Sequence, residues 1–388
     1  MKQKINDILA RPTNYDRLIT ACILTFLGAV VLTLVGVITV IGGWENLKYT
    51  AKFAEILAVT EHTYIGEADT EEVSDAAFTA MIETLGDRWS YYMTAEEYEA
   101  YKERTANQYT GIGITIQTME DGSLKIQEVA EGTPAMEAGL VPGLTLIALN
   151  GENLTGKTVQ EVGVLVRKME GEFTLTAEDE NGGRTDYILK AETIYANPVN
   201  YEMLADGIGY IQLINFDEGC ADEAQKAIED LMAQGAKGLI FDVRNNGGGY
   251  VTELTALLDT LLPEGEIFVS VDRQGGEKIT ESDADCIDLP MAVLVNANSY
   301  SAAEYFAAVL SEYDAAVTVG EATTGKGRSQ INVILVDGSA VHISSKRYLT
   351  PDRVDLSEQG GLIPDIALEL GESDDQLAAA KEFLLTQG

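Results

Sequence analysis

The chain has 388 residues, 46% of them hydrophobic and 23% charged, which is folded globular material for two or three domains and excludes disorder for most of it. Its 26 basic residues face 63 acidic ones, a formal net charge of −37, and this excludes DNA, RNA or anionic lipid as the main partner, because phosphate recognition needs clustered Lys and Arg. Two histidines (His62, His342) and three cysteines (Cys22, Cys220, Cys286), with no Cys-x-x-Cys or His-Glu-x-x-His spacing, give no basis for a metal site, and no cofactor is expected.

The first element is apolar. Leu18 to Ile41 is an uncharged run of 24 residues rich in Leu, Val and Ile. Roughly 20 residues of helix cross a ~30 Å hydrocarbon core, so the run is long enough to span with some tilt. Lys2, Lys4, Arg11 and Arg17 precede it and place residues 1–17 in the cytoplasm by the positive-inside rule. The competing reading is a cleaved signal peptide, whose apolar region normally runs about 7–15 residues to a small-residue cleavage site. This run is longer, and Gly42-Gly43-Trp44 reads as an interfacial end. The expectation is a single-pass anchor at 18–41 in the cell membrane, with everything beyond it extracytoplasmic. Cys220 and Cys286 would then lie in an oxidising space, and the sequence leaves their pairing open.

Residues 48–105 read as a helical region, with Phe53, Ile56 and Leu57 and later Phe78, Met81, Ile82 and Leu85 at helical spacing. A break at Gly86-Asp87-Arg88 precedes the aromatic cluster Trp89, Tyr91 and Tyr92, which reads as a hydrophobic seal where two helices meet. Residues 106–194 change to short strands punctuated by Gly, Asp and Asn. Thr110-Gly111-Ile112-Gly113-Ile114 leads into a strand, followed by Thr133-Pro134-Ala135, Ala138-Gly139-Leu140, Pro142-Gly143 and Leu149-Asn150-Gly151. That order of features resembles a PDZ domain. The resemblance implies that an extended peptide adds as a strand, with its terminal carboxylate held on the amides of Thr110, Gly111, Ile112, Gly113 and Ile114. Leu144 departs from the pattern, since the family usually carries Asp after the turn glycine, and that position supports the fold more than ligand binding.

Residues 195–388 alternate strands and helices, an α/β pattern. Two segments there carry chemistry. Leu239 to Gly249 is an apolar strand ending in an amide-rich glycine turn before a helix, without the Gly-Lys-Ser/Thr of a nucleotide loop, and the same geometry suits a transient oxyanion. Val293 to Glu304 places Ser301 at a helix start after a buried strand, and Gly325-Lys326-Gly327 follows. Alone, the serine reads as an ordinary N-cap and the lysine as a solvated loop residue.

Together these segments resemble the carboxy-terminal processing (tail-specific) peptidases, a family of Ser-Lys proteases. Asp242 to Gly249, Ser299 to Glu304, Gly325 to Gln330, Tyr348 to Pro351 and Gly361 to Asp365 match its motifs. The resemblance implies a crotonase/Clp-like catalytic core of mixed strands and helices, preceded by the mostly β PDZ domain, the N-terminal helical region and one transmembrane helix. It implies Ser301 as nucleophile, Lys326 as base and Gln330 as the residue that orients the lysine. It also implies oxyanion donors at Ala302 and at Gly248 or Gly249. Tyr300 and Ala303 replace smaller or hydroxylated residues usual around the nucleophile. The function implied is that of a membrane-anchored, exported serine endopeptidase acting on unfolded or extended protein C-termini. The alternatives are a non-catalytic PDZ-containing scaffold on a degenerate peptidase fold and a Ser-His hydrolase using His342, although the alternating strand Ala340 to Ser344 favours a structural histidine. A homo-oligomer is left open, and the acidic exterior is expected to repel acidic tails.

Overall fold

Strands buried on both faces need continuous apolar runs, and Gly238–Asp242, apolar up to its final aspartate, and Met291–Val295 are such runs, buried at every position. They sit at the centre of a six-stranded sheet in the computed structural model, which describes residues 14–40, 42–371 and 373–387. The chain forms two compact units, one ending at Leu85 and the other beginning at Gly86.

The first unit holds the helices Asn14–Val40, Trp44–Thr63 and Thr70–Glu83. Within Asn14–Val40, Arg17–Thr39 reaches a mean hydropathy of 2.7, and its length and composition suit it to cross a membrane. Lys2, Lys4 and Arg11, on which the orientation rests, lie outside the described residues, as does Ile41 at the expected end of the span. Asp69 caps Thr70–Glu83 by accepting from the backbone N–H of Glu71 and Glu72. Phe53 stacks on Phe78 at 5.4 Å, so the expected helical spacing does pair these two helices.

In the second unit the central sheet runs Val199–Met203, Ile208–Leu213, Gly238–Asp242, Met291–Val295, Ala316–Gly320, Ile366–Ala367. The first pair is antiparallel and the rest are parallel. Parallel neighbours require crossovers, and the helices Cys220–Ala233, Val251–Leu261 and Ala302–Glu312 lie on three of the four. In the first of these, Cys220, Ala224, Ala227, Ile228 and Leu231 recur at helical spacing and face the core. The opposite face is covered by the C-terminal helix Asp375–Gln387, whose Ala380 and Leu384 pack on Ile208, Ile240, Ala292 and Leu294. The sequence reading did not pick out this helix. Because Gly238–Asp242, Met291–Val295 and Ala316–Gly320 are adjacent and parallel, the three loops that follow them open at one edge of the sheet, where α/β folds bind ligands.

A second, antiparallel sheet runs Tyr91–Met93, Ala340–Leu349, Gly265–Val271, Glu277–Ser282, with Arg328–Ile334 also on Ala340–Leu349. Tyr91 lies opposite His342 in it. Tyr91 and Tyr92 of the aromatic cluster are therefore part of a sheet, with Trp89 in the turn before it, not the expected seal between two helices: a three-residue strand is too short to announce itself by alternation.

The expected PDZ region is a sheet in the order Ile114–Thr118, Leu124–Val129, Thr145–Leu149, Glu172–Glu178, Arg184–Lys190, and Gln108–Gly111 pairs separately with Glu192–Tyr195. Ile126, Leu149 and Leu175 form its core with Val162 and Val166 of the helix Val159–Arg167. A reciprocal capping box between Thr158 and Glu161 starts that helix. Cys220 is buried and Cys286 exposed, both as free thiols.

Candidate active site

Ser301 ends the loop after Met291–Val295 and begins the helix Ala302–Glu312 with φ 61° and ψ −124°. A side chain with a Cβ rarely adopts positive φ, and holding one there costs about 1–3 kcal/mol. The neighbours enforce it. Tyr300 donates its N–H to Asn246 O, Ala303 donates back to Tyr300 O, and the Glu304 carboxylate accepts the Ser301 N–H at 3.1 Å. This turn aims the Ser301 side chain into a cleft of about 830 Å³ that also holds Gly248, Gly249, Ala302, Lys326 and Gln330. All six catalytic and oxyanion candidates from the sequence thus line one cleft.

Glu304 ties the nucleophile turn to the lysine loop. Fully buried, it accepts from Thr323 Oγ1 at 2.7 Å, from the N–H of Gly325 at 2.8 Å and from the N–H of Lys326, as well as from Ser301. Burial pushes its carboxyl pKa up, against the downward pull of those four donors. Gly325 has φ 80°, and a Cβ there would lie 2.8 Å from Gly361 N, so the lysine loop can be this tight only with glycine.

The Lys326 amine stands 4.6 Å from the Trp89 ring centre and 5.9 Å from that of Tyr300. Burial brings its pKa down to about 8; Glu304 and Asp87 oppose the shift, and Arg88 adds to it. Gln330 reaches the cleft, but its Nε2 donates to Arg328 O at 2.9 Å and to Ser344 Oγ at 3.0 Å. Among the described residues it makes no hydrogen bond to Lys326. The strand pairing shifts register between Ser329 and Gln330, and this bulge turns the amide along its own hairpin.

The glycine turn separates two amides that the sequence left equivalent. The Gly248 N–H donates to the buried Asn246 Oδ1 at 2.8 Å, while Gly249 N–H makes no hydrogen bond among the described residues. Asn246 Nδ2 anchors the turn on Leu213 O at 2.7 Å. Ala302, the first residue of its helix, also leaves its N–H without a backbone partner among the described residues. One cleft therefore presents a hydroxyl, an amine biased toward neutrality and two undirected amides, which is the equipment for acyl transfer.

Two family models match: "Peptidase family S41" over residues 207–368 and "PDZ domain" over 103–178. The chain is 31% identical over 359 residues to the carboxy-terminal processing protease CtpA of Bacillus subtilis (strain 168), covering 91% of this chain and 76% of that protein. The chain belongs to peptidase family S41. It is 28% identical over 323 residues to a "Probable CtpA-like serine protease" of Staphylococcus aureus (strain COL), of whose length it covers 64%. Among solved structures, the photosystem II D1 C-terminal processing protease is similar with a TM-score of 0.50 and 25% identity, over 86% of this chain and 96% of that one. This S41 chain is thus a serine-type peptidase of the carboxy-terminal processing group, with a PDZ domain.

The roles of three residues in and behind the peptidase's cleft were missed in the sequence: Trp89 and Tyr348 line it, and Glu304 is buried behind it. Glu304 ends the quoted motif Ser299 to Glu304 but was given no role. Tyr348 lies in a quoted motif without a role; buried between Phe268 and Tyr305, it donates its hydroxyl to Lys326 O and also contacts the Ser301 side chain. Trp89, assigned to a seal, carries the lysine amine. His342 lines the same cleft, hydrogen-bonded through Nδ1 to Asn332 Oδ1 at 2.6 Å and stacked on Tyr91 at 4.7 Å. Burial, helped by Lys326 and Arg104, brings its pKa down to about 4, so it stays neutral at physiological pH.

In the S41 chain's PDZ sheet, Ile114–Thr118 is an edge strand, paired on one side only among the described residues. Gly113 has φ 83° beside Thr133, and Ile112 is buried with its carbonyl accepting from Ala135 N. Thr110 and Gly111 belong to the strand Gln108–Gly111 and pair with Thr193 and Glu192. The turn of the expected carboxylate loop is therefore made by Ile112 and Gly113 alone.

Proposed function

We propose that this peptidase is membrane-anchored and exported, and that it cleaves extended protein tails with Ser301 as nucleophile and Lys326 as base. The strained backbone of Ser301, facing a desolvated lysine in one cleft, carries the reading. In the first step Ser301 Oγ bonds to the scissile carbonyl carbon, its proton passes to Lys326 Nζ, and the carbonyl oxygen becomes an anion beside the amides of Gly249 and Ala302. Collapse breaks the C–N bond, and Lys326 returns the proton to the leaving amine. Water then releases the acyl group by the same sequence of transfers. Gln330 lines the cleft with its amide engaged by Arg328 and Ser344. The unpaired edge of Ile114–Thr118 beside Gly113 supports strand addition by a substrate tail.

The chain incubated with an unfolded protein should yield peptide fragments in mass spectra, and Ser301→Ala should yield none. Matching fragments from both would rule out the serine mechanism.

The anchor is proposed from the helix Asn14–Val40. External protease added to intact cells should remove the domain beyond it. Protection of the whole chain from that protease would refute the exported topology.

A further inference from the structure

The cleft inverts the charge of the molecule. Its lining holds three basic side chains, Arg88, Arg104 and Lys326, against the single carboxylate of Asp217, where the chain as a whole has 26 basic and 63 acidic residues. A base that works as a neutral amine leaves the two arginines as the permanent cations of the site. Neither arginine forms an ion pair among the described residues, and both are exposed. Each is held on a ring: Arg88 Cζ lies 4.2 Å from the Trp89 ring centre, and Arg104 Cζ lies 5.3 Å from that of Tyr101. Arg104 also hydrogen-bonds Tyr91 and attracts Asp217, and a guanidinium held on a ring keeps further N–H groups that can take a carboxylate with two parallel hydrogen bonds. Trp89 also carries the Lys326 amine, so the Arg88 fork lies close to the chemistry.

We propose that Arg88 and Arg104 are specificity residues that bind a carboxylate of the substrate, supplied by an Asp or Glu side chain or by the chain terminus. The proposal rests on the peptidase reading above. It reverses the expectation drawn from the exterior: the surface repels acidic peptides at long range, while the cleft selects for them at contact. Ion pairing of this kind in a partly enclosed site discriminates by about tenfold or more.

The test uses the full chain and peptide twins that differ by Glu against Gln at successive positions around the scissile bond, each made with a free and an amidated C-terminus. Wild type should hydrolyse the best Glu twin, or the free-terminus twin, with about tenfold higher kcat/KM. In Arg88→Gln/Arg104→Gln that ratio should fall to about one, and Arg88→Lys/Arg104→Lys should restore part of it. Ratios between twins cancel any effect of Arg88 on the basicity of Lys326. A Glu/Gln ratio that collapses identifies a side-chain carboxylate, and a free/amide ratio that collapses identifies the terminus. Both ratios unchanged in the Gln double variant, or near one in wild type, would overturn the proposal while leaving the protease intact. Hydrolysis of every twin no faster than by Ser301→Ala would remove the peptidase reading and this proposal with it.

Discussion

Lys326→Ala is expected to lower peptide hydrolysis by about 10³-fold or more, with the chain still folded. The amine is the proposed proton acceptor for Ser301, with which it shares a cleft, whereas His342 is committed to Asn332 and packed among tyrosines. Lys326→Arg should fail as well, because a guanidinium does not give up its proton in a protein. In the wild type the rate should rise with pH as Lys326 deprotonates near about 8, and fall at lower pH as the amine charges. The groups facing it set that value: burial and Arg88 depress it, while Glu304 and Asp87 oppose them. The same shift acts on stability. Because the folded pKa lies below the value of 10.5 for an unburied lysine, charged Lys326 disfavours the native state below about pH 8, and that penalty fades as pH rises toward 10.5. Lys326→Met should thus be inactive yet more stable at neutral pH, on the order of 1–3 kcal/mol by linkage. Peptide assays from pH 6 to 10 and urea melts check both parts. Near-wild-type rates in Lys326→Ala, or a flat pH profile, would falsify the assignment of the base.

Glu304→Ala is expected to cost about 3–5 kcal/mol of stability and to abolish activity together with it. Four donors converge on this carboxylate, from Ser301, Thr323, Gly325 and Lys326. Truncation leaves them in a pocket sealed from water, where an unmade hydrogen bond carries its full desolvation cost. Glu304→Gln keeps the shape but presents an N–H₂ to N–H donors, so it should fall between alanine and wild type. Denaturant midpoints and amide exchange at Gly325 and Lys326 read the effect. A variant as stable as wild type would mean that the nucleophile turn and lysine loop hold their positions independently.

The contrast between Glu304 and Ser301 shows what the sequence carried. That Ser301, Lys326 and the glycine turn share one cleft was legible from their joint appearance: three adjacent glycines, a lysine between two more, and a serine at a helix start after a buried strand and its loop. The strands Gly238–Asp242 and Met291–Val295 were legible as short apolar runs, the first ending in an aspartate. Glu304 and Tyr348 stood in matched motifs without a role, and only tertiary contact gives them one. Tyr348 reaches Lys326 across 22 positions, and Ser90 reaches Ser344 across 254. The choice between Gly248 and Gly249 was hidden likewise, because it depends on where the Asn246 side chain turns. Trp89 was misplaced because its neighbours, Tyr300 and Lys326, are more than 200 positions away in the sequence.

The backbone of Ser301 has a consequence for how such a peptidase is kept or lost over generations. At φ 61° glycine is at ease and serine is not, so a change to glycine removes the hydroxyl and the strain together. Burial of Lys326 tilts the same way, since an apolar replacement relieves its desolvation. Drift from enzyme to inert scaffold is therefore downhill in folding free energy at both positions. A chain that still carries serine and lysine there holds them against a thermodynamic gradient, which only selection on turnover opposes.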